Sequence, residues 1–332
     1  MEKYYNDAII GNNKMLASFT KKGELIRLFY PNNDYRQFID YFHTGIKIND
    51  SRLIYLHNDI NNIYNQEYLE DTNILKTQII NTYFKLDIMQ TDFVCINKNV
   101  LVRKYKFKNK NDIELQLNFV VHSALITDSN NQVTGYYKNN SLIQYMHDYI
   151  FSINSKSRIT SSQINNNKIN IDEGKVWDKD YIGMSNDSSI LFELGNLKPG
   201  EEKELELLIN IDELNSIKTI ETKAEEIKKI DTDKELEDAK KYWKKYLKEH
   251  NTIDLTSYKT DFMSKVNKIY KRTILLFPLL TNQETGGISA AVEIDEERSK
   301  CGRYSYCWPR DRNIYNKCFR FVRNGKRNRK IL

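Results

Sequence analysis

Hydrophobic periodicity changes near Asp212, and this change constrains the fold of the chain more than any other feature. Before Asp212, apolar and polar residues alternate, most strictly from Ile113 to Phe119 and less strictly from Ile190 to Leu194. Alternation is the period of a β-strand that buries one face. After Asp212, apolar residues recur every three or four positions, as on one face of an α-helix. We therefore predict a β domain over residues 1–211, followed by helices.

Turn residues divide this predicted β domain into many short strands. Asn-rich breaks at 130–131, 139–140 and 165–167 indicate loops. Pro199 and Gly200 mark a turn, and the strand patterns on either side of it predict a hairpin. Many short strands without a long helix are typical of two packed sheets. The predicted fold is therefore mainly β, a large antiparallel β-sandwich.

Residues 212–250 are predicted to form a helical linker between two domains. The segment from Thr219 to Ile230 is charged and helical in pattern, and Asp231, Thr232 and Asp233 supply capping residues for a second helix. Apolar residues of that second helix share one face, namely Leu236, Ala239, Trp243, Tyr246 and Leu247. Such a face indicates packing on a neighbouring element rather than a binding site.

A further helix is predicted after Asn251 and is expected to end between Thr281 and Gly287. Its apolar residues fall on one stripe at helical spacing, namely Phe262, Val266, Ile269, Tyr270, Ile274 and Leu275. A stripe of this size needs a partner, because large exposed apolar patches are rare on soluble monomers. We expect the residues beyond about 251 to be loosely packed, to dock on the sandwich or to cause aggregation.

A short segment near the end of the chain concentrates the residue types of a sugar-binding site. Its three aromatic residues, guanidinium and carboxylate are Tyr304, Tyr306, Trp308, Arg310 and Asp311. Aromatic walls with a few fixed polar groups suit a neutral polyhydroxyl ligand. Pro309 suits the first turn of a helix, so the Arg-Asp pair is expected at the start of that helix. On spacing alone, however, aromatic packing beside a solvated ion pair is the commoner explanation.

Two motifs stand out in this region. The first motif, Gly286 to Ala291, reads Gly-Gly-Ile-Ser-Ala-Ala, and the second, Gly302 to Asp311, reads Gly-Arg-Tyr-Ser-Tyr-Cys-Trp-Pro-Arg-Asp. Together they resemble glycoside hydrolase family 15, which contains the glucoamylases and related α-glucosidases. The similarity extends back through Tyr35–Phe38 to Asn6–Gly11, and it therefore covers essentially residues 1–311.

The resemblance implies a super-β-sandwich, a helical linker and an (α/α)6 barrel, of which residues 251–311 would form the first part. It implies that Arg310 and Asp311 hydrogen-bond hydroxyls of the non-reducing-end glucose, and that Trp308 packs beside that sugar. Tyr304 would lie close to the anomeric carbon. Tyr306 also matches the family pattern, with a role in either binding or structure.

The family mechanism inverts the anomeric configuration. One glutamic acid protonates the leaving oxygen while a second carboxylate activates water on the opposite face of the ring. Both family glutamates come from later barrel elements, so the resemblance assigns no catalytic residue to this chain. It implies a glucan 1,4-α-glucosidase type of hydrolase that acts on an α-glucan or maltooligosaccharide, without a cofactor or a metal.

Other functions fit the same residues. A trehalase, a glucodextranase or a disaccharide phosphorylase would use a similar scaffold, and phosphate dependence would identify the phosphorylase. A different class of protein, a non-catalytic β-sandwich module that binds glycan, would bind maltooligosaccharide without turnover.

Residues 312–332 depart from the family pattern because they are uniformly basic. The chain has a formal net charge of +6, but eight of its 51 Lys and Arg residues lie in this tail, which holds no Asp or Glu. The rest of the chain keeps 43 basic against 45 acidic residues, a net charge of −2. A near-neutral body argues against a nucleic-acid partner. We hypothesise a frameshift at about residue 312, which would leave a truncated and inactive enzyme; a diverged helix is the alternative.

Composition also bears on compartment and on metal binding. The mean hydropathy is −0.66, and no apolar run approaches the length of a membrane span. The N-terminus lacks the apolar region of a signal peptide, so a cytoplasmic location without a membrane partner is expected. The cysteines Cys95, Cys301, Cys307 and Cys318 form no Cys-x-x-Cys pair, which favours packing over a metal site or a disulfide framework.

Overall fold

The computed structural model describes residues 6–32, 37–126, 133–138, 140–146, 148–164, 171–177, 182–213, 217–250, 260–292 and 306–322. Most of the described chain consists of antiparallel strands in two sheets, followed by helices. The prediction of a mainly β fold with a large antiparallel sandwich is therefore confirmed.

The first sheet holds eight of the described strands. They are β1 (Ala8–Gly11), β2 (Leu16–Phe19), β3 (Leu25–Phe29), β4 (Ile39–Ile48), β5 (Ile54–Tyr55), β10 (Leu115–Leu125), β14 (Ser161–Ile164) and β16 (Asp187–Leu197). Their order across the sheet is β1-β2-β3-β4-β10-β16-β14, and β5 pairs with β4.

The second sheet holds nine of the described strands. They are β6 (Asn62–Tyr68), β7 (Leu75–Asn81), β8 (Leu86–Val94), β9 (Val100–Asn109), β11 (Thr134–Lys138), β12 (Ser141–Met146), β13 (Tyr149–Asn154), β15 (Ile182–Met184) and β17 (Glu202–Glu213). Their order is β15-β11-β12-β13-β17-β9-β8-β7-β6.

Aromatic side chains from both sheets meet in the core of the sandwich. Phe119 on β10 lies 4.8 Å from Tyr105 and 5.8 Å from Phe107, both on β9, measured between ring centroids. All three side chains are buried. Burying a side chain of this size contributes roughly 1.5–3 kcal/mol relative to leaving it exposed. The apolar residues of the alternating pattern therefore lie on the faces by which the two sheets pack together.

The predicted hairpin around Pro199 and Gly200 is wrong, although the turn itself is present. β16 before the turn pairs with β10 and β14, whereas β17 after it pairs with β9 and β13 in the other sheet. The turn therefore carries the chain from one sheet to the other. Alternation reports which face of a strand is buried and contains no information about which strand lies beside it. Gly200 has a φ of 76°, which glycine adopts without strain.

Four helices follow the strands in the described chain: α1 (Ile217–Lys228), α2 (Thr232–His250), α3 (Asp261–Leu280) and α4 (Pro309–Val322). The predicted start of the second helix is confirmed. The Asp231 carboxylate accepts hydrogen bonds from the backbone N–H groups of Asp233 at 3.2 Å and Lys234 at 3.1 Å. These bonds satisfy N–H groups that the first turn of a helix leaves without an intrahelical partner.

The first two helices cover the outer face of the second sheet. Leu208 on β17 belongs to one buried cluster with Ile227 on α1, Ile230 just after α1 and Ala239 on α2. Leu207, its neighbour along the strand, faces the core between the sheets. β17 is therefore buried on both faces here, which explains why its apolar alternation is imperfect.

The third helix docks on the sandwich through its C-terminal half. Ile274 and Leu275 pack with Trp243 on α2 and with residues of β1, β2 and β3. Near the other end of the helix, Phe262 is 71% exposed and Ile269 is 68% exposed. Of the outcomes expected for this apolar stripe, docking is found for its second half, while the first half remains exposed.

The described helices include none that is both long enough and apolar enough to cross a lipid bilayer.

Candidate functional site

The first family motif folds back against the end of α3. The backbone N–H of Ser289 donates to the carbonyl oxygen of Leu280 at 2.9 Å, and Thr281 pairs with Ile288 as an isolated antiparallel bridge. Gly286 turns the chain with a φ of 70°, a conformation that favours glycine. Glycine is therefore favoured at position 286 because the chain reverses its direction there after the helix.

The structure brings the two motifs together. The backbone N–H of Ala290, in the first motif, donates to the carbonyl oxygen of Tyr306, in the second, at 3.2 Å. Residues 293–305 lie outside the described chain, and Tyr304 and Cys301 are among them. The contact therefore places the beginning of the described second motif beside the turn that ends α3.

The predicted helix start at Pro309 is confirmed. Pro309 is the first residue of α4, and the N–H of Arg312 donates to the carbonyl oxygen of Trp308 at 2.8 Å. Proline is favoured at this position because a backbone N–H there would have no intrahelical acceptor, so its absence costs nothing. Asp311 lies in the first turn, where a carboxylate interacts favourably with the positive end of the helix dipole.

Four of the five predicted substrate-binding residues lie at this helix start, with their side chains at the surface. Tyr306 is 40% exposed and Trp308 is 43% exposed. The Arg310 side chain is 80% exposed, and that of Asp311 is 26% exposed. The fifth, Tyr304, lies outside the described residues. The arrangement presents an aromatic surface, a donor and an acceptor next to one another, while sugar binding by these residues stays a prediction.

Arg310 and Asp311 form a long ion pair. The Nε atom of Arg310 lies 3.8 Å from Oδ2 of Asp311. An exposed pair at this separation contributes on the order of 0–1 kcal/mol to stability. Both groups therefore retain most of their capacity to hydrogen-bond hydroxyls of a ligand. The guanidinium is a donor only, and the ionised carboxylate is an acceptor only.

The two cysteines whose side chains are described differ sharply in environment. Cys95 is buried and Cys307 is exposed, and both are free thiols. Burial, reinforced by the negative charge of Glu235, raises the pKa of the Cys95 thiol to about 12. The expected packing role therefore fits Cys95, which is held in its unreactive thiol form.

Sequence reasoning missed a cluster of ionisable side chains on the first sheet. Glu24, His43 and His57 approach one another, although they come from three separate segments of the chain. A signal was available, because Tyr41-Phe42-His43 and Tyr55-Leu56-His57 repeat the same spacing. In a strand that spacing places the tyrosine and the histidine on one face. Glu24 carries no comparable signal.

The chain is similar to a curated protein that is named as a glycosyl hydrolase. No protein-family model matches the chain. An uncharacterized glycosyl hydrolase of Methanocaldococcus jannaschii, MJ1610, is 28% identical over 350 residues, with 96% of this chain and 53% of that protein covered. The chain is therefore similar to MJ1610, and it spans about half the length of that curated relative.

Solved structures show the same fold. A bacterial glucoamylase in complex with acarbose matches with a TM-score of 0.72 and 17% identity, covering 93% of this chain and 46% of that one. A proposed kojibiose phosphorylase from the human microbiome matches with a TM-score of 0.61 and 14% identity, covering 90% of this chain and 43% of that one. The chain thus has a glucoamylase-like fold that is also found in a protein named as a phosphorylase.

Proposed function

We propose that this chain is part of an inverting glycoside hydrolase that releases glucose from the non-reducing ends of α-glucans or maltooligosaccharides. The observation that carries the proposal is the fold similarity to the bacterial glucoamylase, which extends over 93% of the chain. Homology to MJ1610, itself named as a glycosyl hydrolase, supports the same reaction class. The two motifs that resemble glycoside hydrolase family 15 give the finer assignment.

The start of α4 is proposed to contribute to the glucose subsite. Asp311 would accept hydrogen bonds from two sugar hydroxyls, and Arg310 would donate to another. Trp308 would pack its ring against the apolar face of the sugar, as aromatic rings do in many ligand sites. Tyr306 would form the neighbouring part of the surface. Tyr304 is proposed to lie beside the anomeric carbon, where its phenol would stabilise developing positive charge.

The catalytic carboxylates are proposed to come from barrel elements later than α4. One would protonate the leaving oxygen and the other would activate water. This assignment follows the family resemblance, in which the residues that bind the sugar and the residues that transfer protons lie on different loops. The chain would then contribute recognition of the terminal glucose, and neither step would use a cofactor.

A phosphorylase is the second candidate, and the similarity to the proposed kojibiose phosphorylase is the observation that favours it. Such an enzyme transfers the glycosyl group to phosphate instead of water. The two candidates therefore differ in their need for an anion beside the anomeric carbon. They also differ in product, because phosphorolysis releases a sugar phosphate.

Ligand-observed NMR with the purified chain tests both candidates. Maltotetraose, trehalose and kojibiose would each be added with and without inorganic phosphate. We expect saturation transfer to the non-reducing glucose of maltotetraose, independent of phosphate. Transfer that requires phosphate and favours kojibiose would support the phosphorylase. Absence of transfer to every sugar would overturn the proposed function.

A glucose assay on the same samples tests where the catalytic groups lie. We expect the chain to bind maltotetraose without releasing glucose. Release of β-glucose would show that an acid and a base lie within the chain, and it would contradict their assignment to later barrel elements.

A further inference from the structure

Three side chains with metal-ligating atoms converge on the first sheet, and none of them belongs to the motifs of the proposed sugar site. Glu24 directly precedes β3, His43 lies on β4, and His57 follows β5 by two residues. Their ligand atoms all lie within 4.8 Å of one another. Two imidazoles and one carboxylate form a donor set that zinc sites use repeatedly.

Two of the three separations within the cluster are longer than usual hydrogen bonds and close to the distance between two ligands of one metal ion. Oε1 of Glu24 lies 3.4 Å from Nε2 of His43 and 3.6 Å from Nε2 of His57. Hydrogen bonds between nitrogen and oxygen are usually about 2.9–3.0 Å long. Ligands about 2.1 Å from a tetrahedral zinc ion lie ~3.4 Å from one another. The two distances from Glu24 to the histidines are therefore close to the distance between two ligands of a tetrahedral zinc ion.

Hydrogen bonds from two buried side chains hold the backbone next to Glu24. The carbonyl oxygen of Gly23 accepts hydrogen bonds from the Arg103 guanidinium at 2.7 Å and from the Gln90 amide at 2.8 Å. Arg103 is itself paired with the buried carboxylate of Asp92 at 2.8 Å, which offsets its positive charge near a bound cation. The backbone directly before Glu24 is therefore held in place beneath the cluster.

The two histidines are also held in position. The ring of His43 stacks on Tyr41 at 4.9 Å and packs against the ring of His57 at 4.7 Å, measured between centroids. The backbone N–H of Leu56 donates to the carbonyl oxygen of Thr44 at 2.9 Å, which keeps the segment before His57 beside β4. Prearranged ligands of this kind reduce the entropy that is lost when an ion binds.

Solvent reaches the cluster from one side. The His43 side chain is 23% exposed, whereas those of Glu24 and His57 are 8% and 7% exposed. An ion can therefore enter past His43, and its fourth ligand can be a water molecule or an oxygen of a small ligand. Three protein ligands with one open position are typical of zinc sites that interact with water or substrate.

We propose that Glu24, His43 and His57 together bind one divalent transition-metal ion of the zinc class. The charge balance is favourable, because one carboxylate and two neutral imidazoles leave the bound ion with a net charge of +1. The ligands come from the sandwich alone, so the site does not depend on residues 306–322. Failure of this proposal and failure of the proposed function are therefore independent.

Cobalt binding tests the site directly. The full chain would be stripped of metal with a chelator and titrated with Co²⁺, whose visible absorption reports tetrahedral coordination. We expect one Co²⁺ per chain, displaced by Zn²⁺, without the near-ultraviolet band that thiolate ligands produce. The variant C307S should bind in the same way, which excludes the exposed cysteine as a ligand.

Substitution of the ligands separates a built site from surface binding. H43Q and E24Q should each weaken Zn²⁺ binding by at least ~100-fold, because losing even an outer-shell partner lowers affinity ~10- to 100-fold. H122Q is the matched control, since His122 is a buried histidine whose ring lies 6.3 Å from that of His43 but outside the ligand set. Circular dichroism would establish that each variant is folded, and the more exposed His43 decides the test if E24Q does not fold.

Any of three results would overturn the proposal. The first is a wild-type chain that takes up no stoichiometric Co²⁺. The second is a folded H43Q variant that keeps wild-type affinity, and the third is an H122Q variant that loses affinity as much as H43Q does.

Discussion

The ammonium nitrogen of Lys271 lies 2.9 Å from Oδ1 and 3.0 Å from Oδ2 of Asp71, a residue 200 positions earlier in the sequence. This ion pair joins α3 to the turn between β6 and β7. Beside it, the guanidinium of Arg272 lies 4.0 Å from the centre of the Tyr68 ring. The helix that precedes the candidate sugar site is thus fastened to the sandwich by polar as well as apolar contacts.

Removing this ion pair should measure its contribution to helix docking. Both side chains are partly buried, with Lys271 24% and Asp71 30% exposed. We expect K271Q to lower the free energy of unfolding by about 1 kcal/mol, at the upper end of the range for surface pairs. Urea unfolding would measure the change.

The matched control for this prediction is K245Q. Lys245 and Glu249 lie 3.9 Å apart on α2, and their side chains are 77% and 56% exposed. We expect a change within about 0.5 kcal/mol for this control, as for most exposed substitutions. Equal losses in both variants would mean that Lys271 does not fasten the helix.

The apolar contact between α3 and the sandwich should be far more sensitive than its exposed end. Leu275 is 2% exposed and packs with Trp243, whereas Ile269 on the same helix is 68% exposed. We expect L275A to lower the free energy of unfolding by about 2–5 kcal/mol through lost burial and a residual cavity. I269A should change it by about 0.5 kcal/mol or less. Similar values for the two would contradict the docking seen in the structure.

Thiol labelling should distinguish the two described cysteines. The pKa of the Cys95 thiol is raised to about 12 by burial, so below that pH the folded protein holds almost none of it as the reactive thiolate. At pH 8 we expect a thiol reagent to modify the exposed Cys307 and to leave Cys95 untouched, as read by peptide mass spectrometry.

Unfolding provides the control for the labelling experiment. In concentrated urea, Cys95 should react at the rate of an ordinary thiol, since its pKa returns to about 8.5. Rapid modification of Cys95 in the folded chain would show that its segment opens readily, contrary to its position under α2.

Local features were predictable where the physical cause is local. Asp231 was identified as a cap because its carboxylate acts on N–H groups two and three residues away. Pro309 was identified as a helix start for the same kind of reason. The alternation from Ile113 to Phe119 correctly predicts a strand here, but β10 begins only at Leu115 and Ile113 is 58% exposed.

Features that depend on distant partners were not predictable in the same way. The strands beside Pro199 and Gly200 join different sheets, and their own alternation is compatible with either arrangement. Glu24 meets His43 and His57 only because three separate segments share one sheet. The surroundings of Trp308 likewise depend on residues that are distant in the sequence. A tryptophan at this position therefore predicts an aromatic surface but does not define a pocket.

The central claim is that the start of α4 recognises a terminal glucose, and titration of maltotetraose against D311N tests it most directly. Calorimetry would compare the wild type, D311N and the control D238N, which alters a half-exposed aspartate of α2. A hydrogen bond to a charged group contributes about 1.5–3 kcal/mol. We therefore predict roughly 10- to 100-fold weaker binding for D311N and an unchanged affinity for D238N. Equal affinity of D311N and wild type, or no binding by the wild type, would contradict the account.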